Sequence, residues 1–311
     1  MDTLALAKKL CLDDEKKKHI LFNPDFPCVI PKRLLDAMEK GTLDDPLFKQ
    51  FVPLKEELLE TSGFSEDPLD EKEFYKTEKL LHKYHGRVLL LTSPHCAMNC
   101  RFCFRRHAPE IPSSSFAKEL AYIAKDNTIT EVILSGGDPL SLSNEKLNAL
   151  INSLNDIPHI KRIRFHTRYP IGIPERIDEG FVEILQHCSK RLWFVLHVNH
   201  ANELGNDVFA AIKKIQRLGI PVLTQTVLLK GVNDNVDILE DLFSALIDEG
   251  IVPYYLHHLD KVQGAEHFYV SKNSGCVFIE ELKKRLSGFA VPRYVEEIPN
   301  EACKISISLD R

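Results

Sequence analysis

An α/β fold, a partial (β/α)6 barrel of the TIM type with a helical N-terminal extension, is what the 311-residue sequence predicts. Three observations predict it. From about residue 87, short β-branched runs alternate with amphipathic stretches of helical length, and parallel neighbours need a crossover that is usually a helix. Residues 1–80 lack that period: charged segments such as Asp13–Lys18 alternate with prolines at 24, 27, 31, 46, 53 and 68. The C-terminal ends of the predicted strands are polar, and in parallel barrels the chemistry sits at that rim.

In chain order, the extension (residues 1–80) reads as helical near 31–40 and 46–60, where apolar residues recur at three and four. The main body is expected to span residues 81–311, with the extension packed on it rather than folding alone. Its strands are expected at Val88–Leu91, Glu131–Ser135, Arg162–His166, Leu192–Val198, Val222–Leu228 and Val252–Leu256. Helices are expected near 116–126, 144–154, 174–187, 206–218, 236–249 and 277–287. The polar strand ends are the Cys96–His107 loop after the first strand, Ser135–Asp138 after the second and His166–Arg168 after the third. His197–His200, Gln225 and His257–Asp260 follow on the remaining three. One polar strand end would be ordinary; six on one rim imply a polar site.

Forty Lys and Arg against 45 Asp and Glu give a net charge of −5, so no global field recruits nucleic acid or an anionic membrane. The start Met1–Lys9 has no cationic segment followed by an apolar run, and no stretch of about eighteen apolar residues occurs. These features predict a soluble, cytoplasmic protein. Cys11, Cys28, Cys188, Cys276 and Cys303 show no paired spacing, which in a reducing compartment fits core filling rather than disulfides.

Cys96, Cys100 and Cys103 differ, because three and then two residues separate them and a short loop can turn all three thiols toward one centre. Structural zinc usually takes four protein ligands, and no fourth Cys or His lies beside these at ligand spacing. A [4Fe–4S] cluster held by three thiolates leaves one iron open to a small molecule. The plain alternative is a set of reduced, buried thiols.

This C-x3-C-x2-C run resembles the motif of the radical S-adenosylmethionine (SAM) enzymes. There the open iron binds the amino and carboxylate groups of SAM, and an electron from the cluster cleaves the sulfonium to a 5′-deoxyadenosyl radical. Taken alone, Gly136-Gly137-Asp138 reads as a tight turn with a helix-capping Asp. Beside the Cys loop it resembles the Gly-Gly-Glu-type element that holds the SAM amino group. The resemblance makes Ser135, Gly136, Gly137 and Asp138 candidates for SAM binding, together with Arg168, His197 and Asn199.

Arg87–Thr92, Ser135–Leu140, Arg168–Arg176, His197–Glu203 and Gln225–Asp234 resemble the lysine 2,3-aminomutase family along residues 70–305. Tyr254–Phe268 resembles its elongation factor P branch, EpmB. That branch converts L-α-lysine to (R)-β-lysine, which a synthetase-like partner attaches to the translation factor. The resemblance implies an isomerase, an intramolecular aminotransferase that uses a [4Fe–4S] cluster, SAM and pyridoxal 5′-phosphate (PLP). It also implies L-lysine as substrate, an electron donor such as flavodoxin or ferredoxin, and elongation factor P pathway proteins as transient partners; a homo-oligomer is compatible with it. The C-terminal extension with metal-binding cysteines found in free-lysine fermentative aminomutases is not expected.

By match to the family's motifs, Lys304 would bond to PLP, with Lys83, Arg87 and Gln225 at the phosphate and ring. Arg105 would take the substrate carboxylate, which suits a planar guanidinium fork. Asp260 and Glu297 would take the ε-ammonium, and His257 stands where the family has a tyrosine. Without the resemblance, Lys304 reads as a solvated surface charge. Two alternatives stay open. One is an aminomutase for another amino acid such as glutamate, whose distal carboxylate calls for cationic rather than acidic partners. The other is a non-catalytic iron–sulfur regulatory protein, which leaves Arg105 and Lys304 unexplained.

Overall fold

The computed structural model describes residues 3–22, 24–108, 112 and 115–309. Four short helices open the chain: α1 (Thr3–Lys9), α2 (Asp14–Lys17), α3 (Lys32–Ala37) and α4 (Pro46–Phe51). Asp13 and Asp45 cap α2 and α4 by accepting the N–H groups of Lys16 and Phe48, and Pro46 opens α4 where no donor is needed. The second predicted helix ends at Phe51, since Pro53 cannot continue it; Lys55–Leu58 forms a 3-10 turn instead. Ile20, Leu34, Phe48 and Phe51 belong to a separate apolar cluster, into which Met98 of the Cys loop inserts.

All six predicted strands are present, within a ten-stranded sheet whose spatial order follows the chain. The strands are β1 (Tyr75–Thr77), β2 (Leu80–Leu81), β3 (Arg87–Ser93), β4 (Glu131–Gly136), β5 (Arg162–Thr167), β6 (Arg191–His197), β7 (Val222–Val227), β8 (Val252–His257), β9 (Arg293–Glu296) and β10 (Ile305–Ser306). β3 to β9 run parallel and curl into a partial barrel. β1, β2 and β10 extend it at its two edges by antiparallel pairing. β9 is an addition to the predicted six. Four residues with charges at both ends give no strand signal, yet β9 carries Glu297 to the rim.

The crossovers are α5 (Ala117–Lys125), α6 (Asn144–Asn155), α7 (Tyr169–Gly172), α8 (Glu179–His187), α9 (Asn206–Gln216) and α10 (Val236–Asp248); α11 (Lys272–Arg285) precedes β9. α11 starts five residues before its predicted place. Ser271 caps it by accepting from Ser274 N at 3.1 Å, and Gly275, which looks like a breaker in the sequence, packs its bare backbone against the Tyr294 ring. No helix among the described residues is long and apolar enough to cross a membrane.

Period-two alternation sorts each strand's side chains. On β5, Ile163 and Phe165 join the main core under the helices, while Arg162, Arg164 and His166 face the concave side. Phe165 stacks on Phe194 with centroids 4.7 Å apart and planes at 7°, and Phe181 of α8 meets both edge-on. The helix-facing side is therefore a rigid apolar layer that fixes where the polar concave side points.

Candidate active site

A cavity of about 1460 Å³ runs along the concave face of the barrel, bordered by the Cys loop and by the polar ends of the strands. Cys96, Cys100 and Cys103 all line it. Residues between them have separate anchors. Met98 inserts among the N-terminal helices and Phe102 packs with Leu229, Leu259 and Phe268. Arg101 is fully buried in a two-pronged pair with Glu57, with Nε–Oε1 2.8 Å and Nη2–Oε2 2.5 Å, and Arg106 adds a third bond to the same carboxylate at 2.7 Å. Two cations on one buried carboxylate make a charge-assisted brace that ties the loop to the N-terminal extension.

Burial pushes the Cys103 thiol up to about 11, with the neighbouring Cys100 adding to the rise. Burial also drives Cys96 far up, and raises Cys100 against the opposing charge of Arg168. Among the described residues, no group of three or more His, Cys, Asp or Glu converges as ligands of a metal ion would.

Gly136 and Gly137 bring β4 against the Cys loop. Gly136 has φ +116°, and a Cβ there would lie 2.8 Å from Ser93 O; a Cβ on Gly137 would overlap the His95 carbonyl. Gly137 N donates to Ser93 O at 2.7 Å and Asp138 N to His95 O at 3.0 Å. Both glycines are thus fixed by backbone-to-backbone contact. Gly137→Ala is expected to cost about 1–3 kcal/mol of stability and to lower iron retention after reconstitution. A variant that melts like wild type with full iron content would refute that account.

Three of the SAM candidates spend their polar atoms on protein partners. Asp138 lines the cavity, but its carboxylate accepts from Leu140 N, Thr167 Oγ1 and Arg168 N at 2.7–3.0 Å. It clamps the ends of β4 and β5 together and caps the following 3-10 turn, so it is not a free acceptor; burial nonetheless raises it to about 6 against those bonds. Arg168 spends its terminal nitrogens on Cys100, Gln50 and Glu203. Asn199 is fully buried, accepting from Val227 N at 2.8 Å and donating to Gln50 at 3.0 Å. Ser135, Gly136, Gly137 and His197 do border the cavity.

Arg105, Asp260, Glu297, Lys304, Arg87 and Gln225 line the same cavity, although almost two hundred positions separate Arg105 from Lys304. Arg105 grips Glu71 through two bonds, Nε–Oε2 at 2.9 Å and Nη2–Oε1 at 2.5 Å. Glu297 is not free for a ligand. It pairs with Lys304, accepts from Lys83 at 3.1 Å and from Tyr84 at 2.7 Å, so Lys83 is tied to Glu297 rather than set out toward a phosphate. Burial pushes Glu297 up, but Lys304 and these bonds outweigh it and hold it at about 2. Arg87 lies 4.5 Å from the Tyr84 ring, with no hydrogen-bond partner among the described residues. Asp260 is the exception in this crowded set. Its carboxylate has no partner among the described residues, and burial raises it to about 7 despite the charge of Lys304.

A model of the radical SAM superfamily matches residues 90–242. An L-lysine 2,3-aminomutase of Escherichia coli is 44% identical over 288 residues, spanning 91% of this chain and 84% of that protein. Another from Haemophilus influenzae is 42% identical over 308 residues, spanning 97% and 91%. The chain belongs to the lysine 2,3-aminomutase family. Among solved structures, Streptococcus suis SuiB bound to precursor peptide SuiA aligns with a TM-score of 0.52 at 17% identity, over 68% of this chain and 49% of that one, a likeness of fold alone.

This member of the lysine 2,3-aminomutase family is thus a radical SAM isomerase, and radical SAM membership implies a [4Fe–4S] cluster and SAM. Its residues fit that group. Three half-buried thiols line one cavity on a loop braced from behind, and burial, which raises all three, is a cost to their thiolates that a cationic iron centre would relieve. Sequence reasoning missed Glu71, Tyr84, Gln50 and Glu57, which lie outside any motif, and gave no role to Glu203, which ends one. It also missed the cationic floor of Arg162, Arg164 and Arg293, where Glu131 is the paired acid. Arg162 and Arg164 stand two apart on β5, which was a readable sign that both face the concave side.

Proposed function

We propose that this isomerase converts L-α-lysine to (R)-β-lysine with a [4Fe–4S] cluster, SAM and PLP, and that the product serves modification of elongation factor P in the cytoplasm. One observation carries the reading: the cavity that holds the three thiols also holds a guanidinium fork at Arg105 and the unpartnered carboxylate of Asp260. Those are the complements of a free amino acid with a cationic side chain. Glutamate would bring a second carboxylate to Asp260. The Escherichia coli and Haemophilus influenzae relatives carry the same activity in their names. The likeness of Tyr254–Phe268 to the elongation factor P branch supports the fate of the product, and a flavodoxin- or ferredoxin-type donor would supply the electron.

When bound, the cluster with SAM supplies a radical that takes a hydrogen atom from the substrate, and PLP supplies a π-system across which the nitrogen changes carbons. Cys96, Cys100 and Cys103 would hold the cluster, with Ser135–Gly137 and His197 around SAM. Lys304 would bond to PLP, whose phosphate suits the unpartnered Arg87 and the cationic floor. Arg87, Tyr84, Glu297 and Lys304 form a continuous chain of contacts, which joins the two ends of that cofactor's site. Glu297 at about 2 is too weak a base to take a proton from Lys304 near neutrality, so it anchors charge. Burial keeps His166, His197 and His257 neutral, so these three imidazoles add no positive charge beside a substrate ammonium. In this reading residues 1–80 brace the Cys loop, and residues 81–311 form the catalytic barrel with its C-terminal lysine segment.

Lys304→Ala is expected to lose all PLP trapped by borohydride while keeping wild-type iron, because the thiols and Lys304 are anchored independently. Peptide mapping of the reduced wild-type enzyme checks it. Reduced PLP on a different lysine, or none anywhere, would overturn the assignment.

A further inference from the structure

Arg168 follows β5, and its guanidinium is nearly sealed from solvent, 4% exposed. Nη1 donates to Cys100 Sγ at 2.8 Å. Nη2 donates to Gln50 Oε1 and Glu203 Oε2, each at 2.7 Å. Gln50 comes from α4 and Glu203 from the 3-10 turn after β6; both are fully buried, and Gln50 Nε2 donates to Glu203 Oε1 at 3.1 Å. The planes of Phe51 and Phe102 bracket the cation, with centroids at 4.8 and 5.6 Å. Glu203 is itself fixed by the N–H groups of Asn199 and His200 at 2.9 and 3.1 Å. Three separate elements therefore hold one guanidinium against one thiol.

A rotamer-rich side chain held this way costs little further ordering when it acts, and its charge lies beside a sulfur that donates electron density to iron. Hydrogen bonds to ligand sulfurs and net charge near a cluster are two levers that set its potential. A cation at that sulfur favours the cluster carrying the extra electron; the Glu203 carboxylate behind it tempers the effect.

We propose that Arg168 is a positioning residue that raises the reduction potential of the cluster through its bond to Cys100, with Gln50 and Glu203 holding it in place. The step it tunes is the uptake of one electron by the oxidised cluster from a low-potential one-electron donor; no bond to the protein forms or breaks, and no proton moves. The proposal rests on the cluster reading above.

The test is a redox titration of the reconstituted full-length enzyme without SAM, followed by electron paramagnetic resonance, with iron and sulfide assayed on each sample. Arg168→Gln is expected to shift the potential negative by at least a tenfold change in equilibrium, about 59 mV for one electron. Arg168→Lys should lie between it and wild type. Glu203→Gln should shift it the opposite way, because the guanidinium then acts untempered. Wild-type potentials in both neutral variants would overturn the proposal. If Arg168→Gln fails to retain iron, the sign for Glu203→Gln decides, and a negative or absent shift overturns it. Loss of iron from both makes the network purely structural and overturns it too. Wild-type enzyme that takes up no iron would instead sink the cluster reading itself.

Discussion

Cys100→Ala is expected to abolish SAM cleavage and to bleach the brown colour of the reconstituted enzyme, and Cys96→Ala and Cys103→Ala should do the same. Each thiol is one of three, so no spare ligand takes over. The loop itself should survive the loss of Cys100, since Glu57 still holds Arg101 and Arg106, and Arg168 keeps Gln50 and Glu203 as partners. Loss of function would therefore come without unfolding. Iron and sulfide content, visible absorbance and chromatography of 5′-deoxyadenosine read the result, with a thermal melt as control. Since burial raises all three thiols, loading must expel protons, and reconstitution should improve as pH rises. A fully active triple alanine variant, or stoichiometric zinc in place of iron, would end the assignment.

Asp260→Asn is expected to depress lysine turnover far more than SAM binding. Removing one partner of a buried ion pair costs about 3–5 kcal/mol, which is roughly two hundred- to several thousandfold in rate. Asp260 also borders a second cavity of about 250 Å³, so water reaches its surroundings and the lower end of that range applies. The carboxyl is raised from 3.8 to about 7 by burial, with Lys304 pulling down and Glu297 and Glu71 pushing up. A ligand ammonium needs it ionised, so kcat/KM for lysine in wild type should fall about tenfold per unit below pH 7, a limb that Asp260→Asn lacks. Stability runs the other way. Between about 4 and about 7 the folded chain holds a proton that the unfolded chain has released, so this residue's contribution falls as pH rises through that window. Asp260→Asn should thus melt at or above the wild-type temperature at pH 8. Reduced enzyme, SAM and L-lysine, with α- and β-lysine resolved by chromatography, give the rate. Normal turnover of lysine by Asp260→Asn, or isomerisation of another amino acid by wild type, would overturn the substrate reading.

The parallel sheet was legible because its strands carry continuous apolar runs, such as Val132–Leu134 and Phe194–Leu196, that are buried on both faces. β9 was not, because its place depends on pairing with β8 across α11 rather than on its own four residues. The Cys loop was legible from spacing, a local property. The partners of each charged residue were not: Glu71 to Arg105, Gln50 to Arg168 and Lys83 to Glu297 are contacts across 34, 118 and 214 positions, and each changes what its motif residue can do. Asp138 shows the same lesson in reverse. The capping role that the run suggests in isolation is the one its carboxylate fills.

If Arg105 takes the substrate carboxylate, as proposed, its pair with Glu71 turns ligand capture into an exchange. A carboxylate arriving at Arg105 does not meet an empty fork; it must evict one already seated there with the same geometry, so its apparent affinity is discounted by the fraction of molecules in which Glu71 has let go. Eviction also uncouples the turn Glu71–Phe74 from the mouth of the barrel. A diamine of lysine's length, which matches Asp260 but brings no carboxylate, leaves Glu71 where it is. On that reading the mouth would distinguish an amino acid from its decarboxylated counterpart by whether a swap takes place, a selection that would operate before any cofactor is engaged.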